Sequence, residues 1–200
     1  MKLFLNKTSP YARLVLVTAI EVGLAGRIEL QWTEPWNDPP ELLALNPLAK
    51  VPTLLTDDGV ALIESNGICD YLIVLARRDD LLPSRLDART DALRRLGLAR
   101  GVTDCAFGAV IQRRFNDGKT TALAQRWLKA LPRAATAIDA FCADRLGAGQ
   151  PDLADLATAV AFDYVGFRLP EIAWRDGATA LGALVDKLTA RPSFKTSAPQ

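Results

Sequence analysis

Residues 46–55 read Asn46-Pro47-Leu48-Ala49-Lys50-Val51-Pro52-Thr53-Leu54-Leu55, and the chain then runs on to Glu64-Ser65. Asn-Pro opens the stretch as a turn. Thr53, Leu54 and Leu55 have strand composition, and Val60-Ala61-Leu62-Ile63 is its partner across the turn Asp57-Asp58-Gly59. Proline has no backbone donor, so Pro52 belongs at the first position of its strand or at an irregular edge. The backbone N–H and C=O of Val51 are then left to pair with something other than the sheet. Glu64-Ser65 ends the second strand and starts a helix, placing a hydroxyl and N–H groups at a helix N-terminus, where anions bind. An open strand edge beside an anion site suits an extended peptide with a free carboxylate.

Asn46-Pro47-Leu48-Ala49-Lys50-Val51-Pro52, followed by Glu64-Ser65-Asn66-Gly67-Ile68-Cys69-Asp70-Tyr71-Leu72, resembles the glutathione-binding half of the cytosolic glutathione S-transferases. The resemblance implies a cis bond before Pro52 and a Val51 backbone paired with the cysteinyl part of glutathione. It also implies that Glu64-Ser65 holds the γ-glutamyl carboxylate and that Lys50 lies near the glycyl end. Taken without the resemblance, Pro52 also reads as a turn residue and Glu64-Ser65 as a helix cap.

The chain has 200 residues, 50% apolar and 24% charged, which fits one large or two small globular domains. A net charge of +1 gives no electrostatic case for nucleic acid or an anionic membrane. No apolar run approaches the ~20 residues needed to cross a bilayer. Met1-Lys2-Leu3-Phe4-Leu5-Asn6-Lys7 is too short and polar for a signal peptide. Cys69, Cys105 and Cys142 are widely spaced, which argues against a disulfide framework and for a reducing cytoplasm. They read as small buried hydrophobes. With no histidine, Ser-His-Asp triads and imidazole zinc sites are excluded, and no metal is expected.

Lys2–Asn6 reads as a strand, and Thr8-Ser9-Pro10 as a helix start with a hydroxyl N-cap and proline at N1. A helix from Tyr11 stops at Gly23 or Gly26. Ile28, Leu30 and Trp32 alternate with polar residues as a second strand, so the opening is a βαβ unit. Residues 34–40 are a polar loop and 40–45 a short helix. After Ser65 a helix places Ile68, Tyr71, Leu72 and Leu75 on one face. The order βαβ-α-ββ-α is that of an α/β thioredoxin-like domain over residues 1–77, with a charged linker at 78–87. Strand signals then disappear, and residues 88–200 read as an all-α helical bundle domain. Its helices cover 88–115, with kinks possible at Gly97, Gly101 or Gly108, then 120–145 with a kink at Pro132, and 177–190. Gly147–Pro151 is a loop. Asp152-Leu153-Ala154-Asp155 reads as a structural capping box opening a further buried helix. Arg191-Pro192-Ser193-Phe194 resembles the family's C-terminal stop.

The family's chemistry requires the glutathione thiol as thiolate. A free thiol with a pKa of ~8.5 is about 3% ionised at pH 7, and lowering that pKa to ~6.5 takes about 2.7 kcal/mol. A hydroxyl donating to a charged sulfur offers ~1.5–3 kcal/mol, and a helix N-terminus adds ~0.3–1 kcal/mol. Ser9 has both properties. Thr8-Ser9-Pro10-Tyr11-Ala12-Arg13 resembles the bacterial Ser-Pro-Tyr form of the family, in which this slot activates the thiol. Because the slot is not a cysteine, glutaredoxin-like chemistry is disfavoured. The residues leave open whether Ser9, Thr8 or Tyr11 does this, or whether Ser9 only caps. Lys7 reads as a solvated charge.

Arg100-Gly101-Val102-Thr103-Asp104 resembles a family segment from which Asp104 could reach glutathione across a dimer, although Arg100 stands where the family usually has aspartate. Tyr11, Trp36, Phe107, Ile111 and Tyr164 are candidates for a second-substrate pocket, although aromatic residues at helical spacing are core more often than pocket. The resemblance thus implies a cytoplasmic homodimer with glutathione as co-substrate and a small electrophile as partner, a detoxification chemistry. The rivals are a non-catalytic binding or regulatory relative of the same fold, and a glutathione-dependent isomerase or dehalogenase. The Ser-Ser-Cys signature of the isomerases is missing.

Overall fold

Lys2–Leu5 (β1) is apolar from Leu3 onward and is buried there, as an inner strand must be. The computed structural model describes residues 1–147 and 149–199; Ala148, in the loop expected at Gly147–Pro151, and Gln200 lie outside them. β1 pairs in parallel with Glu29–Trp32 (β2), Leu5 opposite Trp32, and antiparallel with Thr53–Leu55 (β3), Phe4 opposite Thr53. Ala61–Ile63 (β4) adds to β3 with Thr53 opposite Ile63, giving the order β2-β1-β3-β4.

Pro10–Glu21 (α1) crosses between the parallel strands. Ser9 is its N-cap and Pro10 its first residue, a position where the missing N–H costs nothing. Gly23, at φ +75°, ends it in the left-handed conformation that glycine adopts without a Cβ clash. Pro40–Leu43 (α2) precedes the Asn46 loop, and Ser65–Ala76 (α3) follows β4. The elements therefore run βαβ-α-ββ-α, a mixed sheet with helices followed by an all-helical region. Leu3, Leu54, Ala12, Val15, Ala19, Ile68, Cys69 and Leu72 form a fully buried core for this part of the chain.

β2 forms where the alternation of Ile28, Leu30 and Trp32 predicted a strand, and as an edge strand it leaves Leu30 and Trp32 exposed. One sequence expectation is corrected here. On α3 the buried stripe is Ile68, Cys69, Leu72 and Ile73, while Leu75 is exposed and Tyr71 half-buried. That helix is apolar nearly all round, so its period alone does not choose between adjacent faces.

The chain divides into two compact units, Met1–Leu82 with the segment from Pro192, and Pro83–Arg191. The boundary falls within the stretch expected as linker. The C-terminal segment, assigned on sequence to the helical domain, packs with the first unit through Pro192–Thr196 (α8). Arg13 lies over the Phe194 ring at 5.4 Å and donates to the Phe194 carbonyl at 3.5 Å, and the Ser193 hydroxyl donates to the Glu21 carboxylate.

The second unit packs Leu86–Arg114 (α4), Ala122–Leu146 (α5), Leu153–Arg168 (α6) and Thr179–Thr189 (α7) against one another. α4 runs through its three glycines, and α5 through Pro132, without a break in the helix. Gly108 packs closely: a Cβ there would stand 2.8 Å from the Trp127 ring, which would have to shift. Every residue of α6 from Leu153 to Phe162 is buried, as a helix apolar on all sides demands. Its N-terminus carries the expected capping box, with Asp152 accepting from Asp155 N and Asp155 accepting from Asp152 N. The same two carboxylates accept from buried Arg95, and Asp155 also from Arg145, so no charge in this cluster is buried unpaired.

All three cysteines are free. Cys69 and Cys142 are buried as expected, but Cys105 is half-buried. Burial pushes the Cys69 and Cys142 thiols from 9.0 up to about 12. An unfolded chain loses these protons first, so stability should fall as pH rises through the window from 9 to about 12. The unfolding free energy from urea titrations is expected to decline over that range, by up to ~1.4 kcal/mol per pH unit per thiol. The decline should be shallower in a Cys69→Ala/Cys142→Ala variant; equal slopes for the two proteins would contradict this account.

Candidate functional site

The register of the sheet brings the sequence-predicted segments to one end. Thr53, the first residue of β3, lies opposite Phe4 near the C-terminal end of β1 and opposite Ile63 at the C-terminal end of β4. The loop from β1 to Ser9, the segment Lys50-Val51-Pro52 and the pair Glu64-Ser65 therefore leave the sheet at the same edge.

Ser9 is 8% exposed. Its Oγ accepts from Ala12 N at 3.2 Å, and its own N–H donates to Asn6 Oδ1 at 2.8 Å. An N-cap hydroxyl that accepts through a lone pair keeps its O–H as a donor, so capping and thiolate stabilisation are compatible at one atom. Thr8 and Tyr11 are half-buried on either side.

Asn46 is 1% exposed and organises the next segment. Its Nδ2 donates to Lys50 O and to Thr53 Oγ1, both at 3.0 Å, and its Oδ1 accepts from Leu48 N at 3.0 Å. Thr53 Oγ1 donates in turn to Lys50 O at 2.9 Å. With Lys50 O held inward, the Lys50 side chain is exposed and Val51 lies outside the registered strand pairs. Pro52 is buried, and the Val51–Pro52 bond is cis.

At α3 the sequence reading needs a correction. The N-cap is Glu64, at φ +78°, and its Oε2 accepts from Asn66 N at 3.1 Å and Gly67 N at 3.3 Å. The helix tip thus already carries a carboxylate, supplied by the chain itself, where open N–H groups were expected. Ser65 is buried, with its Oγ donating to Glu64 Oε1 at 3.3 Å. Glu64 and Ala49, at φ +49°, are non-glycine residues in the left-handed region. Such residues cost ~1–3 kcal/mol and cluster at ligand sites.

The other candidates are divided between the two units. Tyr11 and Trp36 belong to the first unit, Trp36 46% exposed. Phe107 and Ile111, both half-buried on α4, and Tyr164 on α6 belong to the second. Burial pushes the Tyr164 phenol from 10.0 up to about 12, which marks it as a core residue. Asp104 accepts from Arg100 Nε at 2.9 Å, so the residue departing from the family pattern pairs with it one turn away. Asn6 and Asn46 were missed as site residues. Their signal was an asparagine just after a strand and one just before a proline, both able to capture nearby backbone groups.

A family profile described as Glutathione S-transferase, N-terminal domain, matches residues 8–73. A solved glutathione S-transferase from Methylobacterium radiotolerans is 31% identical, over 99% of this chain and 94% of its own, with a TM-score of 0.83. The chain belongs to the glutathione S-transferase family. Two further relatives span this chain fully. A glutathione transferase family member from Pseudomonas fluorescens is 29% identical over 100% of both chains, with a TM-score of 0.87. The GST-like protein YibF of Escherichia coli K12, itself uncharacterized, is 28% identical over 100% of this chain and 98% of its own. The Methylobacterium structure is a complex with glutathione sulfonate, and the Pseudomonas one holds S-(propanoic acid)-glutathione.

Asn46→Ala removes three side-chain hydrogen bonds from a buried position. It is expected to lower unfolding free energy by about 2–4 kcal/mol in urea, since buried partners left unsatisfied cost ~1–3 kcal/mol each. Amide hydrogen exchange at residues 48–51 should rise beyond the global change. A loss below ~0.5 kcal/mol would show that the loop is held by other contacts.

Proposed function

We propose that this protein binds glutathione at the shared edge of its sheet and ionises the thiol for attack on the electrophilic carbon of a small molecule. The thiol proton is released to solvent, the new S–C bond takes the thiolate's electron pair, and the electrophile's leaving group departs with its own. The observation that carries the reading is Ser9, a buried hydroxyl at the start of α1 whose oxygen accepts from Ala12 N and whose proton can still be donated to sulfur. Family membership and relatives crystallised with glutathione compounds support the same ligand.

The residues fit the tripeptide's chemistry. The Val51 backbone, outside the strand ladder, matches the peptide groups flanking the cysteinyl residue. The γ-glutamyl end carries a carboxylate and an ammonium. Ser65, with its hydroxyl and first-turn N–H, suits the carboxylate, and the Glu64 carboxylate suits the ammonium. Exposed Lys50 suits the glycyl carboxylate. The protein is proposed to act as a homodimer.

Ser9→Ala is expected to lower turnover of glutathione with chlorodinitrobenzene at pH 7 by about 10- to 100-fold, the worth of a hydrogen bond to a charged sulfur. The pKa of bound glutathione, read from thiolate absorbance, should rise by ~1–2 units. Glutathione affinity should stay within about twofold, because the thiol in its neutral form needs no such bond. An unchanged rate removes Ser9 from this role. Failure of the wild type to bind glutathione at millimolar concentration in calorimetry leaves a non-catalytic member of the family.

A further inference from the structure

Arg13 stands in an apolar run of α1, after Ala12 and before Leu14 and Val15, and is itself 8% exposed. A charged side chain is rarely so buried unless the fold holds it. Here the C-terminal segment does. The guanidinium lies 5.4 Å from the centre of the Phe194 ring, within cation–π range. It donates from Nε to Ser197 Oγ at 3.4 Å and from Nη2 to the Phe194 carbonyl at 3.5 Å. Ser197 Oγ is fixed in turn, donating to the Ser193 carbonyl at 2.8 Å. At the last residue of α1, the hydroxyl of buried Ser193 donates to the Glu21 carboxylate. Residues 193–197 therefore grip α1 near both of its ends.

Arg13 is also one helical turn beyond Ser9. Its backbone N–H donates to the Ser9 carbonyl at 3.0 Å and closes the first turn of α1. Ser9 Oγ accepts from Ala12 N within that same turn, and the Ser9 N–H is tied to Asn6 Oδ1. The direction left to the Ser9 O–H is thus set by the pitch of one turn. Helix ends fray unless groups outside the helix hold them. The grip on Arg13 is such a hold. It matters because a group that stabilises developing charge must be placed to about 0.5 Å, and a misplacement of ~1 Å can cost about 10²-fold in rate.

We propose that Arg13, clasped by Phe194 and Ser197, is a positioning residue for Ser9: the C-terminal segment fixes the first turn of α1 and so aims the Ser9 hydroxyl at the glutathione sulfur. The inference rests on the role proposed above for Ser9 and adds a part of the chain that touches neither glutathione nor the electrophile.

The test compares the full-length wild type with Phe194→Leu, Ser197→Ala, Ser9→Ala and Ser9→Ala/Phe194→Leu. Phe194→Leu removes the ring beneath the guanidinium and leaves the Arg13 charge in place. It should lower kcat with chlorodinitrobenzene about three- to tenfold and raise the pKa of bound glutathione, read from thiolate absorbance, by ~0.5–1 unit. Glutathione affinity should stay within about twofold, a split that general loosening of the fold would not give. In the Ser9→Ala background the same substitution should lose most of its effect. Ser197→Ala should act in the same direction by about twofold, and it decides the matter if Phe194→Leu does not fold. Unchanged kcat and thiol pKa in the clasp variants, with Ser9→Ala strongly impaired, overturn the clasp and leave the role of Ser9 standing. An equal effect of Phe194→Leu with and without Ser9 also overturns the clasp. An unimpaired Ser9→Ala overturns both.

Discussion

One buried amide constrains the edge on which the proposed chemistry sits. Asn46 has four hydrogen-bonding positions on its side chain, and the structure uses its amide to draw in Lys50 O and Thr53 Oγ1 and its carbonyl to fix Leu48 N. The segment between Asn46 and Thr53 therefore cannot extend β3 backward. Pro52, lacking an N–H, reinforces that limit from inside the segment. The strand starts at Thr53, and the Val51 backbone is presented at the end of the sheet instead of being absorbed into it.

Around this fixed segment two helix tips carry complementary chemistry. The α1 tip ends in the Ser9 hydroxyl, braced from behind by Asn6 Oδ1 on the Ser9 N–H. The α3 tip is closed by the Glu64 carboxylate, which reaches Asn66 N and Gly67 N from a left-handed backbone. These differences set the division of labour proposed here. A sulfur anion suits the tip that offers a hydroxyl donor, and a zwitterionic amino-acid end suits the tip where serine and glutamate stand together. The electrostatic stabilisation needed for thiol ionisation is a few kcal/mol, within reach of a hydroxyl and a helix terminus without a metal or general base.

Local chemistry was the legible part of the sequence. Ser9-Pro10 marked the start of α1, Asp57-Asp58-Gly59 separated β3 from β4, and Asp152 with Asp155 opened α6, because each signal lies within a few residues of its effect. Long-range partners were not legible. The apolar alternation of Leu30 and Trp32 says nothing about which strand lies at the edge. No pattern links Arg13 to Phe194, which meet across most of the chain. Glu64-Ser65 was read both as an anion site and as a helix cap, and the Glu64 side chain fills the N-cap role; sequence spacing does not reveal the φ of +78° at which it does so. Of the five aromatic or apolar pocket candidates, Tyr164 is buried, in keeping with the core reading that such residues also carried.

The central claim is spatial, and a crystal structure of the protein soaked with reduced glutathione tests it most directly. The account predicts the sulfur within hydrogen-bond reach of Ser9 Oγ, the cysteinyl backbone paired with Val51, and the γ-glutamyl end at Glu64 and Ser65. Glutathione bound elsewhere, or a sulfur closer to the Thr8 or Tyr11 hydroxyl than to Ser9, would contradict it.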